Sequence, residues 1–305
     1  MLRFPVQMNF SRISNHKTKN IIGTAAVLLA AVSFGTVQLF IKGSAEGDLP
    51  LTCWLCYRYG MGALMALAAG LCSRSIKKIE FADFGRLSLI GITTFAGTTV
   101  LMFMAYEVLP VSIVMTVNYS YPVVVALFMI LVFHEKGTVL KSLAIILCSA
   151  SVLLITLTAG DLDRRGLLLA CFSSLTFAAY MILIEKSRFR QMNSIAIIFY
   201  MWSGVSIFYC ICALLRGELV MFADSVQLSN CFFSSFFGVL GCILLTLGTS
   251  LIGASTASFI ALLELVTSVA LDLFVLHTHL KVAFLLGTLL MLFSAILISI
   301  DKIRE

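Results

Sequence analysis

Charged residues are scarce in this chain. Asp, Glu, Lys and Arg make up 12% of its 305 residues, whereas hydrophobic residues make up 60%. A typical soluble domain is about 25% charged, so this composition excludes a soluble globular protein. The mean hydropathy of +1.06 points the same way. The chain also has only 4 Pro, and a shortage of proline leaves long helices uninterrupted.

Signatures of enzymes and metal sites are missing as well. The sequence has no G-x-x-x-x-G-K-[ST], no G-x-S-x-G and no H-E-x-x-H pattern, and its loops are too short to hold a soluble enzyme domain. Its 9 Cys are an odd number, and Cys53-x-x-Cys56 lacks the second ligand pair of a zinc site. We therefore expect no enzyme activity, no cofactor and no bound metal.

What fills the chain instead is a series of ten apolar runs. Each is roughly as long as the 20 residues that a helix needs to cross a bilayer. Because backbone amides in lipid must bond within their own element, runs of this length are helices and not strands. The predicted spans lie at about 21–41, 52–72, 84–106, 111–133, 138–158, 165–185, 194–215, 231–250, 254–276 and 281–300. The predicted fold class is an all-α membrane protein with ten transmembrane helices.

The first run invites a second interpretation, as a secretory signal cleaved near Gly43-Ser44-Ala45. Its apolar core is longer than the roughly 7 to 15 residues of a signal, which favours a retained helix.

The distribution of Lys and Arg predicts the orientation of the spans. Fifteen of these bases lie at one set of alternate span ends and tails, and five lie at the other set. Bases concentrate on the cytoplasmic side, so both termini are predicted to be cytoplasmic, in a plasma (inner) membrane. The sequence pI of about 8.9 then reflects loops facing anionic lipid, and it gives no argument for nucleic-acid binding. The expected partners are the lipid bilayer and a small-molecule substrate.

The second half of the sequence repeats the first at a constant offset. Five identical pairs are separated by 143 positions (166 − 23 for the first): Gly23 and Gly166, Phe34 and Phe177, Ser112 and Ser255, His134 and His277, and Ser151 and Ser294. This divides the chain into a tail (1–20), a first five-helix repeat (21–160) and a second (161–305). Since five is odd, the repeats are inverted with respect to each other. Such inverted repeats are typical of secondary transporters, whose substrate site lies near the midplane.

Several short stretches carry a family resemblance. Met104-Ala105-Tyr106, Leu109-Pro110, Tyr121-Pro122-Val123 and Phe133-His134-Glu135-Lys136 resemble the drug/metabolite transporter superfamily, in its EamA-like branch, and Glu264-Leu265-Val266 stands where that branch often has Glu-Pro-Val. The resemblance implies ten helices in two EamA-type repeats, alternating access and a small organic metabolite as cargo. Leu265 and Thr278 depart from the family pattern, and the loss of proline at 265 predicts a less kinked ninth helix.

Ionisable residues inside spans are the first candidates for the site, because each costs about 2.5 to 3.5 kcal/mol at a helix centre. Glu264, near the middle of span nine, is the candidate for binding a proton or an amine; packing against a facing helix is the alternative. Arg58 in span two, among aromatic residues, is the candidate for a substrate carboxylate, or it snorkels to the interface. Asp272 lies either in an outer vestibule or near the headgroups.

Polar and aromatic residues of span four are the second candidate group. Asn118, Tyr119 and Tyr121 precede Pro122, which removes an amide donor, kinks the helix and frees a carbonyl near position 118. Further hydrogen bonds to substrate are predicted from four polar side chains in other spans: Gln38, Thr98, Thr99 and Tyr180. Each of these residue types also holds helices together without any role in transport.

The function predicted from these observations is secondary active transport of a small metabolite such as an amino acid or amine. Export is favoured over import by the resembled branch, and Glu264 is predicted to couple transport to protons. One alternative is antiport of a nucleotide sugar or another phosphorylated metabolite, which requires several cations where Arg58 stands alone. The other is a membrane scaffold that transports nothing. A homodimer is compatible with the sequence.

Overall fold

The computed structural model describes residues 16–44, 49–158, 162–267 and 282–304, and these residues contain helices and no β-strand. Asp272, expected in an outer vestibule or near the headgroups, lies outside the described residues. We number the helices α1 (His16–Ser44), α2 (Leu51–Cys72), α3 (Phe81–Tyr106), α4 (Val111–Asn118 and Tyr121–Leu131), α5 (Val139–Leu157), α6 (Arg164–Lys186), α7 (Ser194–Arg216), α8 (Ser225–Ile252), α9 (Ala254–Ala261, continuing to Thr267) and α10 (Val282–Arg304).

Eight of the helices, α1 to α8, are long and apolar enough to cross a membrane. The apolar parts of α9 and α10, at Ala254–Thr267 and Leu285–Asp301, are shorter within the described residues, and they flank the segment 268–281, which lies outside them. The protein is therefore an all-helical integral membrane protein. Crossings nine and ten remain predictions.

Polar caps fix where several helices begin. The side chains of Asp163, Asn193 and Asp224 accept hydrogen bonds from backbone amides in the first turns of α6, α7 and α8, at 2.9, 2.9 and 2.7 Å. These amides have no partner within the helix, so a capping oxygen stabilises the helix start. The caps separate the apolar helices from one another by short polar loops.

The principal helix pairs obey the repeat. Helix α1 packs against α8, and α6 packs against α3. Since α6 is the repeat equivalent of α1, and α3 that of α8, the two pairs are copies of one contact. Helix α2 packs against α7, and α5 packs against α10. In each of these pairs, a helix of the first repeat contacts its own equivalent in the second. Tyr59 and Trp202, which are repeat equivalents, contact each other edge to face at 5.0 Å between ring centroids. The α2–α7 contact therefore lies on the axis that relates the repeats.

Two equivalent glycines show that the repeats are inverted. A Cβ on Gly23 would lie 2.5 Å from Ile252 Cγ2, and a Cβ on Gly166 would lie 2.5 Å from Leu109 Cγ. Leu109 and Ile252 are also 143 positions apart (252 − 109). The first contact joins the start of α1 to the end of α8, and the second joins the start of α6 to the end of α3. Glu185 at the end of α6 accepts a hydrogen bond from Ala254, directly after α8. The ends of α6 and α8 therefore lie on the side where α1 begins, so α6 begins on the opposite side and the same contact recurs on both sides.

We call the side where α1 begins the N face. Asp83 in the first turn of α3 forms an ion pair with Arg188, just after α6, and Lys186 Nζ lies 4.7 Å from the centroid of the Phe133 ring after α4. These contacts bring the start of α3 and the ends of α4 and α6 to this face. The other side, the far face, contains the start of α2 at Leu51 and the end of α3 at Tyr106.

Candidate functional site

A cavity of about 510 Å³ is lined mainly by residues of the first repeat, with Phe177 and Glu264 from the second. This volume falls in the range of roughly 300 to 1,000 Å³ that holds small-molecule ligands. It extends from Leu51, Glu107 and Val111 on the far face to Tyr121, Phe177 and Glu264 inside the bundle. The remaining lining residues are Phe34, Val37, Arg58, Phe95, Thr98, Thr99, Met102, Phe103, Tyr106, Met115, Asn118 and Tyr119. The lining is therefore mostly apolar and aromatic, with a few polar groups.

The cavity floor forms where two interrupted helices meet. α4 is broken by a turn at Tyr119 and Ser120, directly before Tyr121 and Pro122. The Tyr121 hydroxyl donates to the carbonyl of Ser258 in α9, at 3.4 Å. A broken helix exposes backbone groups, which are tolerated in a membrane where they face protein or a wet cavity.

The equivalent break in α9 occurs without a proline. Its helix ends at Ala261, and a turn at Leu262 precedes the next helical residues. Leu262 is the repeat equivalent of Tyr119, since 262 − 119 is 143. α9 is interrupted at one residue and α4 at two, so the expectation of a less kinked ninth helix stays a prediction. The Leu262 amide donates to the Phe259 carbonyl three residues back, at 3.2 Å, as in a tightened turn.

Glu264 lies just after this break and lines the cavity. Tyr106, Tyr119 and Tyr121 line the same cavity. Gly35 in α1 allows this arrangement, because a Cβ there would lie 3.1 Å from the Glu264 carbonyl oxygen. The close approach of α1 holds the segment that carries the carboxylate against the cavity wall.

Arg58 supplies the positive charge of the cavity lining. The residue is 6% exposed, and its Nε has no hydrogen-bond partner among the described residues. The guanidinium stacks on Trp54 at 5.1 Å and on Tyr59 at 5.9 Å from the ring centroids, and no carboxylate of the described residues lies within ion-pair distance. Such stacking stabilises a buried cation without neutralising it. A buried guanidinium in this state is prepared to bind an anionic group.

The polar residues of α4 divide between packing and the cavity. Asn118 Nδ2 donates to Ser173 Oγ in α6 at 2.9 Å, which fixes its amide. The hydroxyl of Tyr119, in contrast, is buried and lies beside the carboxyl of Glu264. Burial of a polar group is costly unless a partner is supplied. Among the described residues, Arg58 Nε is a buried group of the cavity without a hydrogen-bond partner, which a ligand would satisfy.

Comparison with known proteins identifies the family. The profile of the EamA-like transporter family matches residues 21–157 and again residues 164–300. The second match is displaced by 143 positions at both ends (164 − 21 and 300 − 157), the offset found in the sequence. This chain belongs to the EamA-like transporter family.

Solved structures agree with the fold of an EamA-like transporter. One crystal structure aligns over 95% of this chain and 100% of its own with a TM-score of 0.73, at 16% sequence identity. At this identity the likeness shows the fold alone. No curated protein sequence matches the chain. Members of the EamA-like family are membrane transporters and not enzymes, so the cavity is the place to look for the transported molecule.

Most of the predicted site residues of this EamA-like transporter lie together. Glu264, Arg58, Asn118, Tyr119 and Tyr121 all line the one cavity, and so do Thr98 and Thr99. Thr98 Oγ1 is hydrogen bonded to Thr176 at 2.8 Å, and Thr99 Oγ1 to the Tyr59 hydroxyl at 3.3 Å. These threonines therefore join helices at the cavity wall.

The structure does not place two of the predicted site residues, Tyr180 and Gln38, in the cavity lining. Tyr180 is fully buried behind the wall, where its hydroxyl is hydrogen bonded to Thr246 at 2.8 Å and its ring packs on Phe95 at 5.5 Å. It is not among the residues that line the cavity. Gln38 lies on α1, but its side chain is outside the described part of the structure.

Sequence reasoning missed the aromatic lining of this EamA-like transporter. Phe34 and Phe177, which are repeat equivalents, both line the cavity, as do Phe95 and Tyr106. The Phe177 ring lies 4.6 Å from that of Tyr121. The identity of Phe34 and Phe177 across the repeats was an available signal, but in the sequence it does not distinguish a cavity wall from ordinary helix packing.

Proposed function

We propose that this EamA-like protein is a secondary active transporter that exports a zwitterionic small metabolite of the amino-acid type across the plasma membrane. One observation carries the proposal: a buried cation without a carboxylate partner among the described residues, Arg58, and a carboxylate, Glu264, line the same cavity. Arg58 binds the substrate carboxylate, and Glu264 binds its ammonium group. The aromatic residues of the lining accommodate the side chain of the substrate.

In this proposal, a proton and the substrate compete for Glu264, and this competition couples transport to the proton gradient. The carboxyl binds either the proton or the ammonium group, so one enters the site as the other leaves. Proton entry then drives export of the substrate. The cavity extends to the far face, which the base distribution predicts to be external. In alternating access, a state with the cavity open to the far face exchanges with a state open to the N face, which is cytoplasmic in this proposal.

The charge of the lining argues against a phosphorylated cargo. Arg58 is the one cation among the described lining residues, and Glu107 and Glu264 are both acids. A nucleotide sugar carries two phosphate charges, and its recognition requires a cluster of basic side chains. A membrane scaffold with no cargo has no need of a cavity of about 510 Å³ that contains a buried guanidinium whose Nε lacks a hydrogen-bond partner among the described residues.

A counterflow experiment in proteoliposomes tests the proposal. Purified protein is tested with three matched sets of compounds: amino acids, the amines that lack the carboxylate, and the acids that lack the amino group; nucleotide sugars form a fourth set. We expect exchange of at least one amino acid, with amines and acids exchanged at least about tenfold more slowly, since each lacks a charge-assisted contact. Fastest exchange of a nucleotide sugar, or no exchange of any compound by folded protein, would contradict the proposal.

A further inference from the structure

Glu185 is a buried carboxylate that the proposed substrate site does not use. It lies in the last turn of α6 at the N face and is 7% exposed. Its Oε2 accepts a hydrogen bond from the backbone amide of Ala254 at 2.5 Å, and its Oε1 lies 2.9 Å from Lys186 Nζ. Ala254 is the first residue of α9. One carboxylate thus joins the end of α6 to the start of α9.

The connection between α8 and α9 is a single residue. α8 ends at Ile252, α9 begins at Ala254, and Gly253 between them has φ +87°. Glycine adopts this left-handed backbone without strain. A Cβ at Gly253 would lie 3.5 Å from Glu185 Oε2, which is an ordinary contact, so the backbone conformation and not the space favours glycine here. With so short a connection, α9 can change its angle to α8 only by rotation about this residue.

Other contacts join the same helix ends. Arg190, in the turn after α6, donates from Nε and Nη2 to the carbonyl of Ser250 in α8, at 3.2 and 3.1 Å. Lys186 lies over the ring of Phe133 after α4. The ends of α4, α6 and α8 and the start of α9 therefore form one closed cluster. The first turns of α9 are buried, and they lie between this cluster and the cavity floor at Tyr121.

From these contacts we propose that Glu185 is the latch of the N-face gate. Its bond to the Ala254 amide holds α9 closed against α6 while the cavity is open to the far face. Opening to the N face requires this bond to break, after which α9 rotates about Gly253 and carries Glu264 with it. Glu185 is a positioning residue: it acts on the substrate site through α9. The inference rests on the proposed alternating access.

The test is hydrogen–deuterium exchange of the full chain in nanodiscs, which requires no knowledge of the substrate. In Glu185→Ala we expect amide exchange in residues 250–261 to be roughly tenfold faster, because loss of a bond to a charged acceptor shifts the gate towards opening. In residues 106–114 at the far face we expect slower exchange, because the far face closes when the N face opens. Glu185→Gln keeps an oxygen that can accept from the Ala254 amide. It should therefore also give faster exchange in residues 250–261 and slower exchange in residues 106–114, but by smaller factors.

Glu80→Ala is the matched control. Glu80 is an exposed acid at the same face, and its side chain forms no ion pair or hydrogen bond with the described residues. Its exchange pattern should equal that of the wild type. Unchanged exchange at 250–261 in Glu185→Ala overturns the proposal, and so does faster exchange at both faces, which indicates general loosening. Amide exchange is measured without substrate. If the counterflow experiment fails, the exchange data therefore still test the role of Glu185.

Discussion

Tyr121 and Glu264 occupy the same position in the two repeats, 143 residues apart (264 − 121), and both side chains line one cavity. Each follows a break in its helix, so the repeat provides the same backbone geometry twice. The chemistry differs: one position carries a neutral hydroxyl and the other a carboxylate. Duplication thus accounts for the placement of these two side chains, and divergence accounts for their different chemistry.

Replacing the carboxylate is the direct test of that polarity. We expect Glu264→Gln to reduce amino-acid exchange by about tenfold or more, since a charge-assisted bond contributes about 1.5 to 3 kcal/mol. An inward proton gradient should accelerate efflux by the wild type and have no effect on the variant. The measurement is efflux from proteoliposomes at two external pH values. Tyr121→Phe, the equivalent position, is the control and should retain proton stimulation; a Glu264→Gln variant that also retains it contradicts coupling at this residue.

Hydropathy located two helices to within one residue at each end. The predicted spans 52–72 and 194–215 correspond to α2 (Leu51–Cys72) and α7 (Ser194–Arg216). The start of α8 was predicted at 231 and lies at Ser225. Its first turn is polar, and the cap at Asp224 rather than hydropathy fixes where the helix begins. Membrane helices that extend past the hydrocarbon have such polar ends, which an apolar window does not detect.

The candidate site was predictable in its charged residues and not in its walls. Glu264 and Arg58 stood out because a charge inside a span is costly, and both line the cavity. Phe95 and Phe177 did not stand out in the sequence, because aromatic residues pack in every membrane helix. Glu185 was overlooked since it lies at a predicted span end beside Lys186, where acids are ordinary. Its burial depends on α9, which is distant in sequence.

Helix contacts through glycine make a prediction about stability. A Cβ on Gly204 in α7 would lie 1.9 Å from Ser88 Oγ and 2.9 Å from Ser88 Cα, so the α3 backbone would have to move. We expect Gly204→Ala to destabilise the protein by about 1 to 3 kcal/mol. A Cβ on Gly85, one turn earlier on α3, would have no atom within 4 Å among the described residues, so Gly85→Ala should be neutral or stabilising by up to about 1 kcal/mol. Thermal unfolding in detergent measures both, and equal effects would contradict the close α3–α7 contact.

Fusion reporters test the orientation and the number of crossings. Ten crossings with a base-rich N face place both termini in the cytoplasm. We expect a fluorescent protein fused after residue 305 to fluoresce, and alkaline phosphatase fused there to be inactive. Phosphatase fused after Gly217, where α7 ends at the far face, should be active and serves as the control. An active phosphatase at residue 305 would indicate an odd number of crossings and would contradict the inverted pair of five-helix repeats.

Arg58 provides a test in which function and stability change in opposite directions. A buried charge without an ionic partner is costly, so Arg58→Met should unfold at the same temperature as the wild type or higher. Its exchange of the amino acid should fall by about tenfold to a hundredfold, while exchange of the amine that lacks the carboxylate stays near the wild-type rate. Arg58→Lys should be intermediate for the amino acid, because an ammonium group lacks the planar pair of donors that matches a carboxylate. Paired counterflow measurements decide the matter: equal losses for amino acid and amine would mean that Arg58 shapes the cavity and does not bind the carboxylate.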